Sequence, residues 1–178
     1  MGENMVIDIE GEVDKILKKY NPEGKSPFPF EDLIEEEPDL NVIFLDLGSE
    51  ISGAIRSEKE TNKISIFINQ KKSQKRQYFT LGHELGHYFL HRKIIDQEEV
   101  FVDVDTTETK TLYRLDNAVM TEIEKQANNF AAYLLMPTKL VIQAWKTINN
   151  IEECANLFHV SAVAMSIRLD KLGLLSHE

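Results

Sequence analysis

The sequence predicts an α+β domain with a small antiparallel or mixed sheet, followed by helices and a helical C-terminal segment. Helical spacing of apolar residues dominates both ends of the chain, whereas short segments between residues 42 and 69 are rich in β-branched and aromatic residues. A length of 178 residues with 42% hydrophobic residues suits one compact domain with its own core.

Two short helices are predicted near the N-terminus. Residues 8–20 carry apolar side chains on one side at helical spacing. The three prolines and the glycine of residues 21–30 then end the helix. A second helix is predicted at 31–37, and its acidic residues are interpreted as a solvated face.

Three strands are predicted next, at residues 42–47, 51–56 and 64–69, with the last two as antiparallel neighbours. Gly53 inside the second strand indicates a bulge or a close backbone approach. This second strand could offer its edge to an extended peptide, a common recognition mode. A purely structural edge strand is the alternative.

The second half of the chain is predicted to be mainly helical. One helix covers residues 77–93, and the irregular stretch after it contains two candidate strand pieces, 100–104 and 111–115. The clearest helix, 118–136, ends at a proline. The remaining residues form helices with a tight turn near 159–161.

Charge and cysteine content narrow the function classes. A net charge of −10 gives little of the phosphate attraction that drives nucleic-acid binding. The single cysteine, Cys154, excludes an internal disulfide framework and is interpreted as a packing residue. The N-terminus lacks the signal-peptide pattern and no apolar run is long enough to span a membrane, so the chain is expected in the cytoplasm with no membrane contact.

His83, Glu84 and His87 form an H-E-x-x-H motif on a predicted helix. Residues four apart on a helix are offset by about 40° and rise about 6 Å, so both imidazoles point the same way. Two such nitrogens can bind one zinc ion, with the glutamate beside the open position on the metal. The alternative is two histidines that only make hydrogen bonds, and a third ligand would distinguish the two interpretations.

The third ligand has two candidates, His91 and Glu124. His91 lies eight residues after His83, about 12 Å along the helix axis and rotated by about 80°, so it is interpreted as a residue behind the ligands or on the surface. Glu124 shares a helix face with alanines, whereas Glu122 falls on an opposite face predicted to be solvated. A buried carboxylate is costly unless neutralised, so Glu124 is the predicted ligand; pairing with a basic residue is the alternative.

Together, the segments 76–91 and 124–137 resemble the ImmA/IrrE family of metallopeptidases, and the resemblance extends over about residues 40 to 175. In that family the two histidines of H-E-x-x-H and the glutamate of E-x-x-A-N-x-F-A hold the metal, and the motif glutamate is catalytic. Carried over, the resemblance implies His83, His87 and Glu124 as ligands and Glu84 as the catalytic residue. Gly82 stands where alanine is common in such proteins, a change expected to matter little.

The resemblance also implies a fold, a metal and a substrate class. It implies a gluzincin-like, zincin-type active site built on two helices, with zinc, or another divalent metal such as Mn²⁺, as cofactor. The substrate class implied is a helix-turn-helix transcriptional repressor that controls mobile-element, prophage or stress genes. The domain division expected is 1–140 for the metallopeptidase and 141–178 for a helix-turn-helix-like segment packed on it.

Peptidases of this class add a side chain that stabilises the oxyanion. Tyr78, Tyr88, His91 and Tyr113 are the candidates, and the sequence does not rank them.

The C-terminal segment suggests a competing function. Residues 150–175 have the pattern helix, turn, helix, with Ser161 as an N-cap. A regulator that binds DNA, or binds a protein without cutting it, is therefore the alternative. The second helix offers only Ser166, Arg168 and Lys171 for contacts to bases or phosphates, so direct DNA binding is disfavoured.

Overall fold

The computed structural model describes residues 7–58, 60–96, 100–104 and 117–175. The helices are α1 Ile9–Tyr20, α2 Phe30–Glu36, α3 Gln74–Leu90, α4 Arg92–Ile95, α5 Asn117–Leu135, α6 Thr138–Ile148, α7 Ile151–Leu157 and α8 Ala162–Lys171. The strands are β1 Leu40–Leu45, β2 Ile51–Glu58, β3 Lys63–Asn69 and β4 Val100–Val104. The predicted α+β class is confirmed, and the candidate strand piece at 100–104 adds a fourth strand to the predicted three.

The sheet has the order β1-β3-β2-β4 and is mixed. β1 pairs with β3 in parallel, while β2 is antiparallel to both β3 and β4. Both interpretations of β2 as an edge strand, one that binds a peptide and one that is purely structural, are wrong, because β3 and β4 pair with its two sides. A register shift between Ile51 and Gly53 agrees with the bulge that was one of the two interpretations of Gly53.

Helix α3 lies between the sheet and α5 and contacts β2, β3 and α5. Its N-cap is Ser73, whose side chain accepts a hydrogen bond from the Arg76 N–H, and its C-cap is His91. On the sheet side of α3, the isoleucines of β3 contribute to the core, and Ile64, Ile66 and Ile68 are fully buried. The long helix is therefore held from both sides, which fixes the direction of its side chains.

The last three helices share the core with the rest of the chain. Cys154, Phe158 and Leu169 belong to the same buried cluster as the residues of α3 and α5. Ser161 caps α8 by accepting a hydrogen bond from the Ala164 N–H, as predicted. The predicted domain boundary after residue 140 lies within α6. In the part of the chain that the structure describes, no helix has both the length and the apolar character that a membrane crossing requires.

Candidate metal centre

The two motif histidines face one another on the buried side of α3. Their Nε2 atoms are 3.1 Å apart, and the rings meet edge-on with centroids 4.8 Å apart. His83 is 4% exposed and His87 1% exposed, so both rings are shielded from bulk water. The helical spacing thus directs two imidazole nitrogens toward one point.

Glu124 reaches the same point from α5. Its Oε2 lies 3.2 Å from the Nε2 of His83, and its Oε1 lies 3.5 Å from the Nε2 of His87. Within the described residues, these two histidines are the ion-pair partners of Glu124, in place of the lysine or arginine that the alternative interpretation required. Glu122 is exposed on the same helix, as the sequence predicted.

The ionisation of the cluster suits metal binding. Burial lowers the pKa of His87 to about 4, so its ring is neutral and keeps a lone pair. Burial alone would raise the pKa of Glu124, but its contacts with the imidazoles of His83 and His87 hold it below its ordinary value. A neutral imidazole and an ionised carboxylate are the forms that ligate a metal.

The donor set fits zinc. One ligand atom from each of His83, His87 and Glu124 lies within 4.8 Å of the others. Two imidazole nitrogens and one carboxylate oxygen are a set that catalytic zinc sites use, with a fourth position left open. The convergence of three lone-pair donors in a buried place is itself costly without a cation among them.

A glycine lets helices α3 and α5 approach each other closely. A Cβ on Gly86 would lie 2.9 Å from the Cα and 3.1 Å from the carbonyl oxygen of Ala127, so no side chain fits there. A Cβ on Gly82 would lie 3.4 Å from the nearest atoms, side-chain carbons of Ala131 and Leu135, which is ordinary contact. Gly86 therefore sets the spacing between α3 and α5, and Gly82 does not.

Glu84 lies on the side of α3 that packs on β2. It is 1% exposed, and a Cβ on Gly53 would lie 2.8 Å from its Oε1. Gly53 thus leaves the room that the Thr80 methyl group, still closer to such a Cβ, and the Glu84 carboxylate occupy, which agrees with the close backbone approach that was one of the two interpretations of this glycine. The arrangement holds Glu84 one residue along the helix from His83.

Two further residues contact the candidate ligands through the Nδ1 atoms of their rings. The Nδ1 of His83 is 3.1 Å from the Oδ1 of Asn128, one turn beyond Glu124 on α5. His91 is buried and contacts the Nδ1 of His87, on the other side of the ring from Nε2. This agrees with the interpretation that His91 supports the candidate ligands, and not with the one that places it on the surface. The contact between Asn128 and His83 was not predicted from the sequence, although the spacing of four residues puts Asn128 on the same face of α5 as Glu124.

The face of α5 opposite Glu124 was predicted to be solvated, which is only partly correct. Gln126 is half-buried, because its Oε1 lies 2.8 Å from the Nε2 of His91. Helix α8 partly covers Asn129 and Tyr133, through Lys171 and Arg168.

The structure shows what each described candidate for stabilising an oxyanion contacts. Tyr78 donates to the backbone oxygen of Phe28, 2.9 Å away, and Tyr88 donates to Asp39, 2.6 Å away, so both hydroxyls are bound to other elements. His91 lies behind His87. Tyr113 lies outside the described residues.

Comparison with known proteins identifies the family. The model of the IrrE N-terminal-like domain, a peptidase family, matches residues 35–170. The chain belongs to this family. It is a metallopeptidase of the ImmA/IrrE type, as the resemblance implied.

Two relatives and one solved structure are similar over most of the chain. Metallopeptidase ImmA of Bacillus subtilis (strain 168) is 27% identical over 144 residues, which cover 78% of this chain and 76% of that protein. An immunity region protein 2 of Bacillus phage phi105 is 30% identical over 154 residues, covering 86% and 84%. A Mycobacterium tuberculosis transcriptional regulator matches 94% of this chain with a TM-score of 0.61 and 14% identity. The chain spans about half of that regulator (47%), and the likeness shows the fold alone.

Proposed function

We propose that the chain is a zinc-dependent endopeptidase in which His83, His87 and Glu124 hold the metal and Glu84 is the general base. The observation that carries the proposal is the convergence of these three ligand atoms within 4.8 Å on two buried helices. Zinc suits the two nitrogens and one carboxylate; Mn²⁺ is the alternative metal.

The residues divide the chemistry between them. A bound zinc ion supplies a Lewis acid that polarises the scissile carbonyl and lowers the pKa of a water molecule to about 7. Glu84 accepts the proton as the water attacks and passes it to the leaving amine. Because Glu84 is 1% exposed, bulk water does not compete for that proton.

The proposed substrate is a helix-turn-helix transcriptional repressor. The similarity to a metallopeptidase named ImmA and to a phage immunity region protein supports this class. Charge supports it too, because a chain of net charge −10 attracts a DNA-binding protein whose surface is basic. Such a repressor acts on DNA in the cytoplasm, which is where we place the reaction.

DNA reading by α8 is the weaker alternative. Arg168 is 4% exposed and donates to the backbone oxygen of Met136, and Lys171 donates to Asn129 on α5. Two of the three side chains that the sequence offered to DNA thus contact the protein itself. A regulator that binds its partner without cutting it remains an outcome that the experiment can reveal.

The test is cleavage of a repressor encoded near this chain by the zinc-loaded protein, with Glu84→Gln as the matched control. We expect Glu84→Gln to retain zinc and repressor binding but to lose at least about a hundredfold in rate, since general-base catalysis contributes about 10²–10⁴. Cleavage by Glu84→Gln at the wild-type rate would refute the general base. Binding by the wild type without cleavage would support the non-cutting regulator.

A further inference from the structure

A chain of hydrogen-bonding side chains runs from the candidate metal centre to the surface. The Nδ1 of His87 lies 3.1 Å from the Nδ1 of His91. The Nε2 of His91 lies 2.8 Å from the Oε1 of Gln126, and the amide nitrogen of Gln126 lies 3.3 Å from the Oε1 of Glu122. His87 lies in α3, His91 is the C-cap of α3, and Gln126 and Glu122 both lie in α5.

The proton positions in this series of hydrogen bonds follow from the ligand role of His87. The Nε2 of His87 faces His83 and Glu124, so a ligand role leaves that nitrogen without a proton. A neutral imidazole then carries its proton on Nδ1, which donates to His91. His91 must accept on Nδ1, carries its own proton on Nε2, and donates to Gln126.

In each of these hydrogen bonds the donor then lies nearer the candidate metal centre and the acceptor lies nearer the surface. The amide group of Gln126 accepts from His91 with its oxygen and donates to the Glu122 carboxylate with its nitrogen. The reverse direction would place a proton on the His87 nitrogen that faces the ligands, and it would also leave the Gln126 oxygen without a donor from His91. One tautomer of each histidine therefore satisfies these three hydrogen bonds.

We propose that His91 is a positioning residue that holds His87 in the Nδ1–H tautomer, with its Nε2 lone pair directed at the metal. The inference rests on the proposed metal site and assigns His91 no contact with metal or substrate. His83 has a separate partner, the Oδ1 of Asn128, so each ligand histidine is oriented by a different residue. The backbone role of His91 as the C-cap of α3 does not depend on its side chain.

Two substitutions of His91 distinguish its role in orienting His87 from its role in filling space in the core. His91→Phe keeps an aromatic ring but removes the acceptor, whereas His91→Asn keeps an acceptor near the position of Nδ1 but reduces the volume. We expect His91→Phe to weaken zinc binding about 10- to 100-fold and His91→Asn to weaken it less than about threefold. Zinc affinity is measured on the full chain by competition with a chromophoric chelator, after circular dichroism confirms the fold of each variant.

The outcomes distinguish this inference from the function on which it rests. Wild-type affinity in His91→Phe, or an equal loss in both variants, overturns the positioning role while the metal site stands. A wild-type chain that binds no zinc overturns both. If a variant does not fold, nitrogen-15 spectra of the zinc-loaded wild type decide: a proton on Nδ1 of His87 and on Nε2 of His91 supports the proposal, and any other pattern refutes it.

Discussion

A carboxylate among buried histidines is the feature on which the candidate site depends most. Glu124 retains 17% side-chain exposure and is stabilised by His83 and His87 instead of by a lysine or arginine. Glu122, two residues earlier on the same helix, has the same chemistry but lies in solvent. A comparison of Glu122 with Glu124 therefore tests the effect of position on the helix while the residue type stays the same.

Replacing each glutamate by alanine tests the third ligand. We expect Glu124→Ala to weaken zinc binding at least about tenfold, because a direct ligand is lost. Glu122→Ala should bind zinc nearly as the wild type does, since it ends the hydrogen-bond chain at the surface. Zinc content after dialysis against a chelator measures both, and equal content in the two variants would contradict the assignment of Glu124.

Sequence spacing predicted which residues face the centre but not how they contact each other. The i, i+4 histidines and the buried face of Glu124 follow from helix geometry, which is local. The contacts of Asn128 with His83 and of Gln126 with His91 join different segments of the chain. Such contacts depend on how closely two helices pack, which periodicity does not report.

At the scale of the elements, the spacing between α3 and α5 decides whether Glu124 meets His83 and His87. Gly86 lies between the two histidines and packs on the backbone of Ala127, three residues after Glu124. Widening this contact would move Glu124 away from both rings. The glycine costs about 1 kcal/mol of helix propensity relative to alanine, which the close packing offsets.

Two glycine substitutions on α3 test this spacing. We expect Gly86→Ala to destabilise the fold by about 1–3 kcal/mol, through overpacking against backbone that cannot yield, and to weaken zinc binding. Gly82→Ala should leave zinc binding unchanged and gain up to about 1 kcal/mol, since its Cβ would make ordinary contacts. Chemical denaturation and zinc titration measure both variants; the opposite order of stabilities would contradict the packing argument.

The elements themselves were largely predictable, and their pairing was not. Strand segments were visible from β-branched residues, and the antiparallel pair of β2 and β3 followed from the short turn between them. The parallel pairing of β1 with β3, and the place of β4 beside β2, join segments separated along the chain. The free-edge prediction for β2 failed for this reason: local pattern does not show what covers an edge.

At the scale of the whole molecule, the C-terminal helix α8 is joined to α5 by polar as well as apolar contacts. The Arg168 guanidinium lies over the Tyr133 ring and donates to the Met136 oxygen, 3.0 Å away, at the end of α5. Its second donor group binds the Thr138 hydroxyl, 2.9 Å away, at the start of α6. Arg168 therefore fastens α8 where α5 ends, at a carbonyl that the helix itself leaves without a partner.

Replacing the two cations of α8 by methionine tests this attachment. We expect Arg168→Met to destabilise the full chain by about 1–3 kcal/mol, because the buried Met136 oxygen loses a charged donor. Lys171→Met removes an equal charge from an exposed position and should change stability by less than about 0.5 kcal/mol. Thermal unfolding followed by circular dichroism gives both values. Equal stability of the two variants would mean that α8 is held by its apolar residues alone, and its Arg168 would again be a candidate for binding an outside partner.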